Sequence, residues 1–292
     1  MMEIIMNEFK YAENLLSKSH LCADDLGKKP SATLNLLARY YREIGKSDNE
    51  IKKCLETFLS NCLGENFQVS KWIESISYQV KRSKKYSLKR VDKVCITQNE
   101  IDIIQQVKSK PQQKLLFTLL TVAKYYNAVS ERNNNWTNLE MKQLFKLANV
   151  QLTTQKQALM IHELYKSDFV ILSKKVGKPN IAVQFIDDNS ESALEITRLK
   201  DLGKEYLYYC GENYVRCERC GDLMKKVTNN NKYCKNCGGY QPIKTKTLTC
   251  IDCGKEFVVS SKNQKTKRCT RCKATKETTD NRIRKQNQRK KR

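Results

Sequence analysis

Cys217-Glu-Arg-Cys220-Gly221, Cys234-Lys-Asn-Cys237-Gly238, Cys250-Ile-Asp-Cys253-Gly254 and Cys269-Thr-Arg-Cys272 are four Cys-x2-Cys pairs within residues 217–272. Thirteen residues separate the first two pairs and fifteen separate the last two. A Cys-x2-Cys turn aims two thiolates at one metal ion, and two such turns complete a tetrahedral four-sulfur site. The pattern therefore predicts two zinc ions, one on Cys217, Cys220, Cys234 and Cys237 and one on Cys250, Cys253, Cys269 and Cys272. All four positions of each site are sulfur, which leaves no place for a reactive water, so the ions are expected to be structural. Gly221 and Gly254 follow the first pair of each quartet, where a tight turn lets backbone N–H groups approach the sulfurs. Spacing alone leaves two alternatives open: pairing across the quartets, and an iron–sulfur cluster.

With short candidate strands between the pairs, as in Lys255-Glu-Phe-Val-Val-Ser260, residues 214–240 and 248–274 resemble zinc ribbons. Such ribbons serve as nucleic-acid contacts, protein-docking knobs or stabilisers of small domains. Lys262, Lys265, Lys267, Arg268, Arg271 and Lys273 crowd the second one and favour phosphate contact there. Tyr233 and Tyr240 near the exit of the first can stack on bases or pack.

The rest of the composition agrees. Across 292 residues, 55 Lys and Arg stand against 31 Asp and Glu, a formal charge of +24 that seeks polyanions. From Tyr214 onward the count is 23 against 6, a net of +17. Two four-thiolate sites would lower the total by about 4 and leave the chain strongly basic. DNA is the expected partner and RNA the alternative. A membrane is not expected, because no stretch approaches the roughly 18 to 20 apolar residues of a spanning helix. No secretory signal is read at Met1–Lys10, which predicts a cytoplasmic protein in which eight of the thirteen cysteines serve metal, Cys22, Cys54, Cys62, Cys95 and Cys210 being left over.

Upstream of the cysteines the fold class reads as mainly α with small β elements. Residues 1–82 are expected to form a helical bundle. Ile4, Ile5, Phe9, Ala12, Leu15 and Leu16 recur at helical spacing, Pro30 opens a second helix, and Ser47-Asp-Asn-Glu50 is a capping box for a third that turns Ile51, Cys54, Leu55, Phe58 and Leu59 inward. Trp72, Ile73, Ile76 and Val80 mark a fourth. Residues 83–96 read as a basic linker, and residues 189–213 as a helical connector.

Between them, residues 97–188 carry helices capped at Thr97–Glu100, opened by Pro111, and capped again at Thr137–Glu140 and Thr154–Gln157. Two strands follow, Phe169–Ser173 and Ile181–Ile186. This order resembles the winged helix-turn-helix fold over roughly Gln98 to Asp187. The resemblance implies that the helix near Thr154–Lys166 enters the major groove with Gln155, Lys156 and Gln157 leading, while Lys174, Lys175 and Lys178 at the hairpin tip touch the backbone.

Residues 275–292 form a basic tail with Arg282, Arg284 and Lys285 among its charges and Ile283 as its apolar residue; it is expected to stay disordered until a polyanion orders it. The chain from Thr249 to Arg292 resembles basic zinc-ribbon proteins of phages and mobile elements of low-GC Gram-positive bacteria. Leu36-Leu-Ala-Arg-Tyr-Tyr41 is similar to helical domains attached to the primases of such elements. Together with the winged-helix order these resemblances imply a role in replication initiation or transcriptional regulation; the alternatives are an RNA-binding or ribosome-associated protein and a protein-docking adaptor with a non-specific basic tail, and the helical N-terminal region is the candidate surface for a protein partner.

No catalytic residues are expected. No phosphate loop, dinucleotide fingerprint or nucleophile elbow is present, and the two histidines, His20 and His162, read as surface or structural residues. Asp24-Asp25 and Asp187-Asp188 read as turn or cap acids instead of a metal pair.

Overall fold

A computed structural model describes residues 4–174, 180–227, 232–238, 245–260 and 266–290. It is mainly α-helical with short strands, and divides into two compact units, Met1–Tyr214 and Val215–Arg292.

The first unit begins with four helices: α1 (Glu8–Leu16), α2 (Pro30–Glu43), α3 (Asp48–Leu63) and α4 (Val69–Arg82). The Ser47 box closes as read: Ser47 accepts from the Glu50 amide, and Glu50 accepts from the Ser47 amide at 2.8 Å. Ile51, Leu55, Phe58, Leu59 and Cys62 then lie on one side of α3 and pack with Ala12, Leu15, Leu34, Leu37 and Ile76. Cys62, buried here, has its thiol pushed up to about 11 by desolvation, whereas Cys54, expected inside, is half-buried.

Residues 83–96 are not a free linker. Leu88 and Val91 are buried, Met6 O accepts from the Val91 amide at 3.2 Å, and Lys89 O accepts from the Glu8 amide at 2.8 Å. Two of the charges in this stretch have partners on the helices before it. Arg90 pairs with Glu43 at 2.6 Å and lies over the Phe9 ring, and Lys84 pairs with Asp48 at 2.8 Å. The segment ends in β1 (Val94–Thr97), whose partner across the chain is introduced below.

Thr97 caps α5 (Gln98–Gln105), and α6 (Lys110–Ser130) follows with Pro in its first turn. Leu115, Phe117, Leu119, Leu120, Val122 and Tyr125 are all buried, so α6 is enclosed on nearly every side and is the spine of the second core. Next come β2 (Trp136–Thr137), α7 (Met141–Leu147), α8 (Thr154–Lys166), β3 (Val170–Leu172) and β4 (Ile181–Val183). The three strands form an antiparallel sheet in the order β2-β4-β3. Thr137 does not cap α7: it lies in β2, and its hydroxyl donates to Ile181 O at 3.0 Å. The cap of α8 is Thr153, one residue before the expected one.

The expected helical connector is not wholly helical: a strand comes first. β5 (Ser192–Ile196) pairs antiparallel with β1, Val94 opposite Ile196 and Ile96 opposite Leu194, and only then does α9 (Leu202–Tyr209) begin. A five-residue strand has no stability alone; its partner lies about a hundred residues away, beyond the reach of local pattern. α9 packs on α6 through Tyr206, whose hydroxyl donates to Gln113 Oε1 at 3.1 Å. Gly203 lets the start of α9 lie against the end of α7, since a Cβ there would stand 1.9 Å from Ala148 O.

The second unit consists of two hairpins, β6 (Tyr214–Arg216) with β7 (Leu223–Lys225) and β8 (Thr245–Thr249) with β9 (Glu256–Ser260), followed by the helix α10 (Thr270–Lys290). The last of these corrects the expected disordered tail over its described residues. The run from Arg271 to Arg292 contains neither Pro nor Gly. Its first turn is built on the Cys269–Cys272 pair, where the Lys273 amide donates to Cys269 O at 2.9 Å.

Candidate metal centres and the basic surface around them

Each metal centre is assembled by the same backbone construction. In the first hairpin the chain leaves β6, turns through Cys217–Cys220, and re-enters β7; the Cys217 amide donates to Asp222 O at 3.0 Å and the Gly221 amide to Cys217 O at 2.8 Å. In the second, the Cys250 amide donates to Lys255 O at 2.9 Å and the Gly254 amide to Cys250 O at 2.9 Å. Gly221 and Gly254 sit at φ +71° and +68°. That left-handed backbone closes the turn, and a side chain there would be strained.

The second pair of each quartet is tied to the first. Glu218 donates from its amide to Lys232 O at 3.0 Å, and Ile251 from its amide to Lys267 O at 3.1 Å. In both sites the four sulfurs lie within 4.8 Å of one another, Cys217 with Cys220, Cys234 and Cys237, and Cys250 with Cys253, Cys269 and Cys272. The pairing is thus sequential and not interleaved. Cys220 and Cys234 sulfurs are 3.7 Å apart, and those of Cys253 and Cys269 3.8 Å. Zinc–sulfur bonds of roughly 2.3 Å in a tetrahedron place the sulfurs about 3.8 Å apart, so each quartet has the size of a single-ion site, with no room for the inorganic sulfides of a cluster. A disulfide, at about 2 Å, is far shorter.

The electrostatics also suit a cation. The Cys217 thiol is held down at about 6, chiefly by the Cys234 amide, which donates to its sulfur at 3.3 Å; Cys250 is held at about 6, chiefly by the Cys269 amide. Cys237 is pushed up to about 12, first by its hydrogen bond with Cys220, and Cys272 to about 12, first by that with Cys269. Four thiols crowded together share protons until a dication replaces them. These are two structural zinc sites, zinc-ribbon-like in their knuckles.

Around the second site, Lys267 and Arg271 are exposed. Arg268 is not free: its Nε donates to Asp252 Oδ2 at 2.6 Å, which clamps the second pair against the first knuckle. Asp252 lies inside the first Cys-x2-Cys turn of this site and Arg268 directly before the second, so opposite charges at the two knuckles are the signal the sequence carries for this clamp. Arg282 and Arg284 are exposed on α10; Lys285 belongs to the same helix, its side chain outside the described residues. Lys175, Lys178, Lys262, Lys265 and Tyr240 also lie outside the described residues.

On the first unit, Gln155 and Lys156 are exposed at the start of α8 and Lys174 is exposed after β3. Gln157 is drawn inward, its amide donating to Leu152 O at 3.0 Å. His20 and His162 are exposed, the latter 6.2 Å from the Tyr165 ring. Asp187 is a turn acid, held down at about 2 by Ser190 first and the Asn189 amide second. No helix among the described residues is long and apolar enough to cross a membrane.

No family model, curated protein or solved structure matches this chain.

Proposed function

We propose that the protein is a zinc-containing DNA-binding protein of a phage or mobile element that acts in replication initiation or transcriptional control. The reading is carried by one observation: two closed four-sulfur sites scaffold the most basic part of the chain, and the side chains they support, Lys267, Arg271, Arg282 and Arg284, face solvent. A closed site does no chemistry of its own, so its use is to shape a small, core-poor segment for contact.

The order α6, β2, α7, α8, β3, β4 with sheet order β2-β4-β3 supports the winged-helix-like half of the reading. In that arrangement α8 is the reading helix, Gln155 and Lys156 its leading side chains, and Lys174 the base of the wing. Amide side chains discriminate adenine, so base preference is expected from this element and sequence-independent affinity from the second unit.

The test is competition binding of zinc-loaded protein to genomic fragments near physiological salt, read by sequencing what is retained. Enrichment of one motif, lost in Gln155→Ala with Lys156→Ala, is the expected result. Preference for structured RNA at equal salt, or no retention of any nucleic acid, overturns it.

A further inference from the structure

α10 divides lengthwise into two faces of different character. At 100° per residue, Arg271, Thr275, Thr278 and Arg282 fall within about 60° of one another, and Lys273, Glu277, Asp280 and Arg284 occupy the opposite face. Over residues 271–284 the first face carries two arginines and no acid; the second carries two bases and two acids, with Lys273 and Glu277 at 4.0 Å. Every one of these residues is exposed, so neither face is used to hold the unit together. A helix polar all round buries no apolar face, so packing against the rest of the unit does not account for this one.

The acid-free face is also the thinner one. Between its arginines stand only threonines, whose hydroxyls donate to the backbone one turn back, Thr275 to Arg271 O at 3.0 Å and Thr278 to Ala274 O at 2.9 Å. That bond spends the hydroxyl proton and leaves the γ-methyl and the oxygen lone pairs for a neighbour. Arginine paired with guanine, and threonine against a thymine methyl or a base-edge donor, are contacts made in a duplex major groove, which is about 12 Å wide and admits an α-helix. Arg271 and Arg282 are eleven residues, or about 16 Å, apart, which spans roughly five base-pair steps.

We propose that α10 is a major-groove helix for duplex DNA, inserted by the face Arg271, Thr275, Thr278 and Arg282 and started by the second zinc site. This rests on the DNA-binding reading above and adds to it the element, the face and the form of the nucleic acid. Cys269 immediately precedes the helix and Cys272 lies in its first turn, so the metal fixes the turn whose formation is the costly step. The direction in which the helix leaves the knuckle is set by the same two sulfurs.

The experiment compares two double variants of the full zinc-loaded chain that remove the same charge at matched positions. Arg271→Ala with Arg282→Ala strips the acid-free face; Lys273→Ala with Arg284→Ala strips the mixed one. Binding to a mixed-sequence duplex is read by fluorescence anisotropy, with zinc content measured for each variant. A loss of about thirtyfold or more for the first pair and less than about threefold for the second is expected, from two arginine–base contacts against two charges on the face that also carries Glu277 and Asp280. Equal losses mean the segment binds as an unstructured polycation and overturn the proposal while the DNA-binding reading stands. Thr278→Pro keeps charge and cysteines but breaks the helix; duplex affinity unchanged from wild type overturns the proposal as well. If the wild-type chain prefers structured RNA, or binds no polyanion, the DNA-binding reading itself falls.

Discussion

At the scale of single residues, the chemistry that decides this protein is sulfur and one buried charge pair. Cys217 and Cys250 are thiolates above about pH 6 because backbone amides point at their sulfurs, whereas Cys237 and Cys272 keep their protons to about 12. Zinc and protons compete for the same lone pairs, so affinity for zinc should fall as pH falls. The sign follows from the lowered values: above about 6, Cys217 and Cys250 have no proton to surrender, and below it each does. Calorimetric zinc titration in buffers of different ionisation enthalpy should therefore show the protons released per site rising by about one as pH drops through 6. A constant count would mean that the amides do not hold these thiols down. The buried pair is Lys124 with Glu100, 2.8 Å apart. Glu100 also accepts from the Thr97 amide at 2.8 Å and the Asp187 amide at 2.9 Å. Lys124→Met leaves a buried carboxylate without its cation and should cost the first unit about 3–5 kcal/mol in denaturant unfolding, while adding Glu100→Gln should recover part of it.

Among elements, the hairpin knuckles and α10 depend on metal, whereas the helices of the first unit depend on apolar packing. β6, β7, β8 and β9 have three to five residues each, too short to persist without the sulfur sites that close their turns. Chelation should abolish amide protection in both hairpins and melt α10, seen as a partial loss of far-UV helical signal and as hydrogen exchange confined to Val215–Arg292. Protection in α6, whose Leu115, Phe117, Leu119 and Leu120 are fully buried, should be unchanged by the same treatment. Loss of protection in α6 on chelation would show that the two units are not energetically independent. The two types of element were unequally legible. Capping boxes at Ser47 and Thr97 close as local spacing dictates, because their hydrogen bonds reach only three residues. Thr137 carries the same pattern and fails, because pairing with β4 gives its backbone and hydroxyl partners that a helix start could not match.

For the whole molecule, the charge of +24 is the property that a binding experiment reads first. If the exposed bases of the second unit neutralise six to ten phosphates, duplex affinity should drop by about 10³–10⁵ between 50 and 200 mM salt. A weak salt dependence would mean that the positive charge is not at the interface. Two cysteine quartets, their structural character and the mainly helical class are determined by the sequence alone, because metal spacing, caps and apolar periodicity are local properties written over a few residues. Only the tertiary structure decided that residues 83–96 are packed and not a linker, that the expected helical connector begins with a five-residue strand on β1, and that Gln157 and Arg268 are held by Leu152 and Asp252. It also decided that the basic tail continues as a helix. In each of these cases the deciding partner is a strand, an acid, a backbone carbonyl or a pair of metal-ligating sulfurs outside the segment's own pattern, and the contacts with that partner outweigh the local preference.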